Sequence, residues 1–192
     1  MIVPTLRTQR LLLTIPGARA AEAAVRFNRE NERHLAPWNP RMTARDFDVE
    51  YWKTSLDRQI ENFRNGTRYS FCIFPLDSGT DGRLLGFLNF TEVVRGVFQA
   101  CYMGYSLAED MQGRGYMTEA CRAGIDYMFS TVGLHRIMAN YMPANVRSAA
   151  VLKRLGFIEE GRARDYLFLA GAWQDHVLTS VTNPEAAAPA GY

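Results

Sequence analysis

The feature of the sequence that most constrains its fold is a series of three strand-like segments followed directly by a strongly periodic helix. Segments 69–74, 84–94 and 99–107 are rich in aromatic and β-branched residues, and turn-forming residues separate them. Short turns between such segments predict an antiparallel meander. Residues 115–132 then repeat apolar or small side chains with i, i+3, i+4, i+7 spacing, which predicts a helix packed on that sheet.

The flanking segments extend this core into a mixed α/β sheet. Their composition, with Pro and Gly at the boundaries, predicts strands at 10–15, 135–141, 157–169 and 173–182 and helices at 18–32, 46–65 and 145–155. The predicted order is β-α-α-β-β-β-α-β-α-β-β, in a single domain expected to span residues 1–183. Residues 184–192 contain little that can pack, so we expect a disordered tail there.

The charge balance limits the kinds of partner. The 192 residues carry 22 Lys and Arg against 20 Asp and Glu, a formal net charge of +2, whereas nucleic-acid-binding domains concentrate positive charge on one face. The sequence has no apolar run long enough to span a membrane and no pattern of a secretory signal. We therefore expect a cytoplasmic protein without strong nucleic-acid binding and without membrane contact. The sequence does not predict its oligomeric state.

The cysteines and histidines do not form a recognisable metal or nucleophile pattern. Cys72, Cys101 and Cys121 each lie in an apolar run without a C-x-x-C pair, and the three histidines are dispersed. This distribution predicts buried, reduced cysteines and no metal site. A covalent acyl-cysteine intermediate is disfavoured for the same reason, since no Cys-His arrangement is visible.

One loop has the features of a phosphate-binding site. Residues 112–117 read Q-G-R-G-Y-M and lead into the periodic helix. Two glycines let backbone N–H groups approach a ligand, and a helix N-terminus adds unpaired donors and the positive end of the dipole. The loop lacks the G-K-[ST] of a Walker motif and the G-x-G-x-x-G of a dinucleotide-binding motif, and taken alone it is equally typical of a tight turn.

Taken in order, the motifs resemble those of the GCN5-related N-acetyltransferase (GNAT) family. The resemblance rests on Q-x-x-G-x-M after the meander, N-x-x-S at residues 145–148 and K-R-L-G-F at residues 153–157. Within the family the sequence is similar to the bacterial ribosomal-protein-alanine N-acetyltransferases, most specifically along H-R-I-M-A-N-Y-M-P-A-N at residues 135–145. The resemblance extends from residue 10 to about residue 182. It implies the GNAT fold, acetyl-CoA as co-substrate and no metal.

The resemblance also implies which residues contact acetyl-CoA. Pantetheine would pair with backbone groups at a strand end, the pyrophosphate would lie on the amides of the loop, and one asparagine would contact the cofactor or an ordered water. In this sequence these positions are Tyr105, Ser106 and Leu107, then Gln112, Gly113, Arg114, Gly115, Tyr116 and Met117, and finally Asn145. Met117 replaces the usual Gly or Ala, so its side chain must point away from the phosphates.

The catalytic acid departs from the usual pattern of the family. Many members place a Tyr seven residues after the asparagine to protonate the departing CoA thiolate, and here that position is Leu152. Ser148 is a hydroxyl on an otherwise apolar helix face, and the resemblance to the N-x-x-S branch favours it as the acid or as a hydrogen-bond donor to the thiolate. A serine bonded to its own helix backbone is the alternative.

The general base is less determined by the sequence. Glu92, near the end of a predicted strand, ranks first because a carboxylate can accept a proton directly or through water. Asn89, Asp165 and Tyr166 lie on strands expected to face the same region, and water is a further alternative. A free α-amine has a pKa of about 7.7 to 8.0, so a fraction on the order of a tenth is already neutral at pH 7 and a strong base is not required.

The resulting prediction is an acetyl-CoA-dependent N-acetyltransferase that uses direct attack by the acceptor amine. The catalytic set is Ser148, Glu92 and Asn145, and the expected acceptor is the N-terminal alanine of a small-subunit ribosomal protein. Two alternatives stay open at this point. One is a related enzyme that acts on a small amine such as a polyamine or an aminoglycoside, and the other is a non-catalytic, ribosome-associated module that binds acetyl-CoA.

Overall fold

The computed structural model describes residues 3–186 and 188, and within them the secondary structure follows the predicted order with one added strand. The strands are β1 (Thr5–Arg7), β2 (Leu11–Thr14), β3 (Tyr69–Pro75), β4 (Gly86–Val94), β5 (Ala100–Leu107), β6 (Arg136–Tyr141), β7 (Ile158–Leu169) and β8 (Ala172–Thr182). The helices are α1 (Ala21–Leu35), α2 (Val49–Arg64), α3 (Tyr116–Ser130) and α4 (Val146–Arg154). Strand β1 is not predicted because three largely exposed residues carry no readable periodicity.

Helix α2 begins three residues later than predicted because of a side-chain cap. Residues 44–47 form a short 3-10 helix, and the Asp48 carboxylate then accepts a hydrogen bond from the Tyr51 N–H at 2.6 Å. This bond satisfies one of the N–H groups that have no partner within the first helical turn. The charged residues at 45 and 46 therefore lie in the 3-10 helix and Asp48 forms the cap, so none of the three lies inside α2.

The strands of the described residues form one sheet with the order β1-β2-β3-β4-β5-β6-β8-β7. Neighbours are antiparallel except β5 and β6, which are parallel. The prediction of a mixed α/β sheet with the GNAT element order is confirmed. The single-domain expectation for residues 1–183 stays a prediction, and the expected tail at 184–192 falls partly on residues 187 and 189–192, which lie outside the described part.

Helices cover both faces of the sheet and create two apolar layers. Strand β3 is buried on both faces, with Phe71 and Ile73 in the layer under α3, and Cys72 and Phe74 in the layer under α1. Successive strand residues point to opposite faces, so a strand covered on both sides appears in the sequence as a continuous apolar run. Among the described residues, no helix is long and apolar enough to cross a membrane.

A gap in the sheet positions the functional site. The parallel pairing of β5 with β6 covers only 100–102 against 136–138. Beyond it, β5 pairs with β4 as far as Leu107, while β6 pairs with β8 as far as Tyr141. Because the two strands diverge after Tyr102, the backbone of 103–107 has no strand partner on the β6 side and can pair with a ligand.

Candidate active site

A cavity of about 1250 Å³ opens where β5 and β6 diverge, and it continues between α3 and α4. Ser148 and nine of the ten predicted acetyl-CoA contacts line it. The nine are Tyr105, Ser106, Leu107, Gln112, Gly113, Gly115, Tyr116, Met117 and Asn145. Segments separated by more than thirty residues in sequence, the strand end and the start of α4, therefore line one cleft. Their individual roles stay predictions.

The loop before α3 has the backbone geometry of an anion-binding site. Gly113 and Gly115 have φ values of 73° and 81°, in the left-handed region that favours glycine, and Gly115 is the N-cap of α3. The cap has no side-chain hydrogen bond, so the first amides of α3 lie open at the cavity. The Met117 side chain is only 6% exposed and packs in the core, so it leaves its N–H unobstructed.

Arg114 is the predicted loop residue that does not line the cavity. Its carbonyl oxygen instead accepts a hydrogen bond from Arg10 Nη1 at 2.9 Å. Arg10 also contacts Glu119, and both Thr8 and Arg10 donate to that carboxylate. Thr8 and Arg10, in the turn between β1 and β2, thus hold the loop through Glu119 and the Arg114 carbonyl. Sequence reasoning misses these residues because 109 positions separate Arg10 from Glu119.

The Gln112 side chain connects both sides of the cavity. Its amide Nε2 lies 2.8 Å from His34 Nε2, and its carbonyl Oε1 accepts a hydrogen bond from Arg147 on α4. An arginine can only donate, so the carboxamide oxygen faces Arg147 and Nε2 faces His34. The network joins α1, the loop and α4. Neither His34 nor Arg147 has a sequence signal that could have identified it.

Ser148 and Tyr105 form a hydroxyl pair at the mouth of the β5–β6 gap. Tyr105 Oη lies 2.9 Å from Ser148 Oγ and 3.3 Å from the Ser148 carbonyl oxygen. Burial raises the pKa of Tyr105 far above its ordinary value, and the Cys121 thiol adds to the effect, so the hydroxyl keeps its proton. The family's usual acid position, Leu152, is 2% exposed and packs in the core.

Asn145 is committed in part to the structure of α4. Its Oδ1 accepts a hydrogen bond from the Ser148 N–H at 3.1 Å, which makes it the N-cap of the helix. The Nδ2 donor group of the Asn145 side chain is then available to a ligand in the cavity. The cap also fixes the first turn of α4, and with it the position of the Ser148 hydroxyl.

The structure does not bring Glu92 together with this group. Glu92 is exposed, does not line the cavity and lies at a bulge in β4 with a φ of 51°. The register pairs Thr91 with Tyr102, so Glu92 lies at the closed end of the β5–β6 gap and not at the open end. Its role as the general base stays a prediction. Asn89, opposite Gly104, is closer to the open end.

The other candidates for the base lie beside the gap but outside the cavity. Tyr166 Oη accepts a hydrogen bond from Asn140 Nδ2 at 3.3 Å, and its hydrogen bond with Tyr102 raises the pKa of Tyr102. Asp165 is exposed, with a φ of 49°, and its N–H donates to Asp175 at 3.1 Å. None of these side chains contacts the Ser148–Tyr105 pair in the described part of the chain.

The cysteines are buried, as the sequence predicts. Burial raises the pKa of Cys72 and Cys101 to about 12 and raises the pKa of Cys121 as well. These thiols therefore lack the thiolate character that a nucleophile needs. In residues 3–186 and 188, no group of three or more His, Cys, Asp or Glu side chains is placed to hold a metal ion.

Charge at the cavity is arranged for an anion. Four arginines line it, Arg7, Arg122, Arg147 and Arg154, together with two carboxylates, Glu119 and Asp126. Glu119 is neutralised by its salt bridge to Arg10 at 2.6 Å. A small net charge over the whole chain is therefore compatible with a positive local field where a phosphorylated ligand would lie.

The cleft lies between diverging parallel strands, with helix N-terminal amides on one wall and a hydroxyl pair on the other, which fits the arrangement that the resemblance to GNAT N-acetyltransferases implies. The sequence comparison agrees, because residues 10–158 match the acetyltransferase (GNAT) domain family. The chain belongs to this family. The prediction of an acetyltransferase with acetyl-CoA as co-substrate is confirmed.

Individual relatives extend over nearly the whole chain. The chain is 42% identical over 185 residues to the [ribosomal protein uS5]-alanine N-acetyltransferase of Escherichia coli, covering 95% of this chain and 94% of that protein. The crystal structure of the ribosomal-protein-S5-alanine acetyltransferase of Vibrio fischeri is 34% identical with a TM-score of 0.90, covering 96% and 99% of the two chains. Mycobacterium smegmatis RimJ in complex with CoA-disulfide is 33% identical with a TM-score of 0.84, covering 96% and 90%.

Proposed function

We propose that this chain transfers the acetyl group of acetyl-CoA to the α-amine of the N-terminal alanine of ribosomal protein uS5. The E. coli relative that carries this activity in its name covers nearly all of both chains. The similarity thus includes the elements around the acceptor as well as the acetyl-CoA loop. The V. fischeri structure, with a TM-score of 0.90, supports the same acceptor.

The observation that carries the acceptor class is the charge and shape of the cleft. Arginines outnumber carboxylates along it, and Glu119 already has a cationic partner, so a polycationic amine would find little to bind. Trp38 and Asn39, in the loop between α1 and α2, also line the cleft. The tip of the β7–β8 hairpin contacts this loop, where the Ala170 N–H donates to the Asn39 carbonyl at 3.2 Å. We propose that the end of a peptide enters the cleft beside these two loops.

The chemistry follows from the positions of the donor groups. The neutral amine attacks the thioester carbonyl, the new C–N bond forms, the C–S bond breaks, and the departing thiolate takes a proton. Free N–H groups of β5 near residues 105–107 would hold the oxyanion. Ser148 would donate to the thiolate, and the Tyr105 hydroxyl would hold Ser148 in the orientation that this transfer needs.

The acceptor amine itself reduces the demand for a base. An α-amine with a pKa of about 7.7 to 8.0 is partly neutral at pH 7, whereas a lysine at about 10.4 would cost roughly 4 kcal/mol in deprotonation. Positioning of the reactants can then supply much of the rate acceleration. The proposed base is water at the open end of the gap, with Glu92 as the alternative that the sequence favours.

The test is an acceptor panel read by mass spectrometry. The protein is incubated with acetyl-CoA and a peptide of the first residues of uS5, beginning with alanine. Controls are the same peptide with a blocked N-terminus and a free lysine, the same peptide beginning with another residue, and spermidine. We expect acetylation of the alanine α-amine alone.

Each other outcome overturns the proposal in a defined way. Turnover of spermidine without turnover of the uS5 peptide would assign a small-amine acceptor. Acetylation of the blocked peptide would assign a lysine acceptor. Binding of CoA by calorimetry without turnover of any amine would assign a non-catalytic module.

A further inference from the structure

We infer that Arg10 is a positioning residue for the acetyl donor, which neutralises Glu119 beside the phosphate-binding amides and turns the Arg114 carbonyl away from them. This inference rests on the acetyl-CoA loop and not on the identity of the acceptor. Arg10 lies just before β2, more than 100 residues from the loop in sequence.

Every nitrogen of the Arg10 guanidinium has a partner in the loop or in the first turn of α3. Nε and Nη2 lie 2.7 and 2.6 Å from Glu119 Oε2, and Nη1 donates to the Arg114 carbonyl at 2.9 Å. The plane of the guanidinium stacks 4.4 Å from the centre of the Tyr116 ring. The Arg10 N–H donates to Glu119 Oε1 at 2.9 Å, and Thr8 Oγ1 donates to the same atom at 2.6 Å. A fork with this many partners fixes the loop in one arrangement.

Glu119 requires this partner because of its position. It lies in the first turn of α3 and lines the cavity. A carboxylate at a helix N-terminus competes with an incoming phosphate for the same amides and the same dipole. Partial burial raises the pKa of Glu119, but the hydrogen bonds from Thr8 and Arg10 outweigh it and bring the pKa below its ordinary value. The carboxylate therefore stays charged, and Arg10 supplies the compensating charge.

Arg10 also fixes the direction of one carbonyl group in the loop. In a loop that binds phosphate through N–H groups, carbonyl oxygens pointing the same way would repel the anion. Arg114 has its carbonyl on the Arg10 side, and Arg114 does not line the cavity, whereas its neighbours Gly113 and Gly115 do. Arg10 thus holds the Arg114 carbonyl oxygen on one side of the loop, while the N–H groups are free on the side that faces the cavity. The four arginines that line the cavity do not share in this pairing of Glu119.

The test is a double-mutant cycle measured by titration calorimetry with CoA and no acceptor. For Arg10→Gln we expect a Kd for CoA about tenfold higher, equivalent to about 1.4 kcal/mol. Glu119→Gln alone should bind CoA as tightly as the unmodified protein or more tightly. The Kd for CoA of the double variant should return to within about threefold of the value for the unmodified protein, because the Glu119 carboxylate and the Arg10 charge that compensates it are both gone. Arg10→Lys keeps the positive charge but loses the several N–H donors of the guanidinium. Its Kd for CoA should lie between those of the unmodified protein and Arg10→Gln.

Truncated donors separate positioning from general destabilisation. With acetyl-pantetheine, which lacks the pyrophosphate, Arg10→Gln should change kcat/KM less than twofold, whereas with acetyl-CoA the KM rises and kcat stays within about twofold. Arg136→Gln is the matched control, since it breaks the surface ion pair with Glu160 outside the cavity. Unchanged CoA affinity in Arg10→Gln would overturn the inference. So would an equal loss with acetyl-pantetheine, or a double variant no better than Arg10→Gln, which would make Arg10 a direct phosphate ligand.

Discussion

The half of the cleft proposed for the acetyl donor and the half proposed for the acceptor are built in different ways. The donor half uses one nearly continuous stretch, residues 105–117, and presents mostly backbone groups of a strand end and a helix N-terminus. The acceptor half brings together the α1–α2 loop and the β7–β8 hairpin, about 130 residues apart, through contacts such as Ala170 to Asn39. Backbone chemistry can be predicted from local sequence, whereas a site made by distant loops depends on the whole fold.

The largest effect is expected from a substitution at Ser148, where the two halves meet. Replacing Ser148 by Ala removes the hydroxyl that contacts Tyr105 and that, in the proposed mechanism, donates to the departing thiolate. General acid catalysis contributes about 10² to 10⁴ in rate, so we expect kcat to fall about 10²-fold while the Kd for CoA is unchanged. Steady-state kinetics with acetyl-CoA and the uS5 peptide measures the first value, and calorimetry measures the second.

A matched substitution controls for the loss of a helical serine. Ser130→Ala also removes a helix hydroxyl, one that donates to the Asp126 carbonyl at the exposed end of α3. This variant should keep kcat within about twofold. If Ser148→Ala turns over as fast as Ser130→Ala, the Ser148 hydroxyl is only a structural partner of Tyr105 and the acid lies elsewhere.

The second prediction tests the rigidity of the donor half. A Cβ at Gly86 would lie 2.2 Å from the backbone carbonyl oxygen of Ser106, so Gly86→Ala must displace β5 where pantetheine would pair. We expect a loss of about 1 to 3 kcal/mol in the free energy of unfolding and a higher KM for acetyl-CoA. Denaturant melts and kinetics measure both.

The control lies on the paired strand. A Cβ at Gly104 meets nothing within 4 Å, so Gly104→Ala should leave the free energy of unfolding within about 0.5 kcal/mol of the value for the unmodified protein. Equal behaviour of the two variants would mean that β5 adapts freely and that the donor half does not depend on this close approach.

The two halves also differ in how much of each could be predicted from the sequence. The order of helices and strands along the chain, the loop with Gly113 and Gly115 and the helix after it follow from local composition and periodicity, and the fold confirms them. Arg10 and Glu119 could not be paired from sequence, because their contact depends on how β2 packs beside α3. The bulge that gives Glu92 its position depends on strand register, which no local pattern encodes.

The third prediction concerns how kcat/KM depends on pH, which separates the titration of the acceptor amine from that of Tyr105. Burial keeps the pKa of Tyr105 above its ordinary value near 10, so its proton stays in place through pH 10. Only the acceptor then titrates: kcat/KM should rise about tenfold from pH 7 as an α-amine with a pKa of about 7.7 to 8.0 loses its proton, and then level off. A lysine acceptor would continue to rise toward pH 10.

Tyr105→Phe is the check on this assignment. The variant should lower kcat without changing the shape of the profile, because the tyrosine does not ionise in this range. A falling limb below pH 10 that disappears in Tyr105→Phe would contradict the expected protonation. The raised pKa also predicts how stability depends on pH. Below pH 10 Tyr105 is protonated in both the folded and the unfolded chain; above pH 10 the unfolded chain loses this proton first, so the free energy of unfolding falls as the pH rises.

The smallest expected effect concerns Glu92 and sharpens the boundary of the acceptor half. Its carboxylate is exposed at the closed end of the gap, where it partly offsets the burial that lowers the pKa of Arg68. Glu92→Gln keeps the side-chain shape and removes the charge, so the geometry predicts a change in kcat/KM of less than about threefold. Asp165→Asn and Tyr166→Phe, measured beside it, test the other two side chains near the gap. A loss of 10²-fold in Glu92→Gln, restored at high pH where the amine is already neutral, would instead make Glu92 the base and would place the acceptor on the β4 side of the sheet.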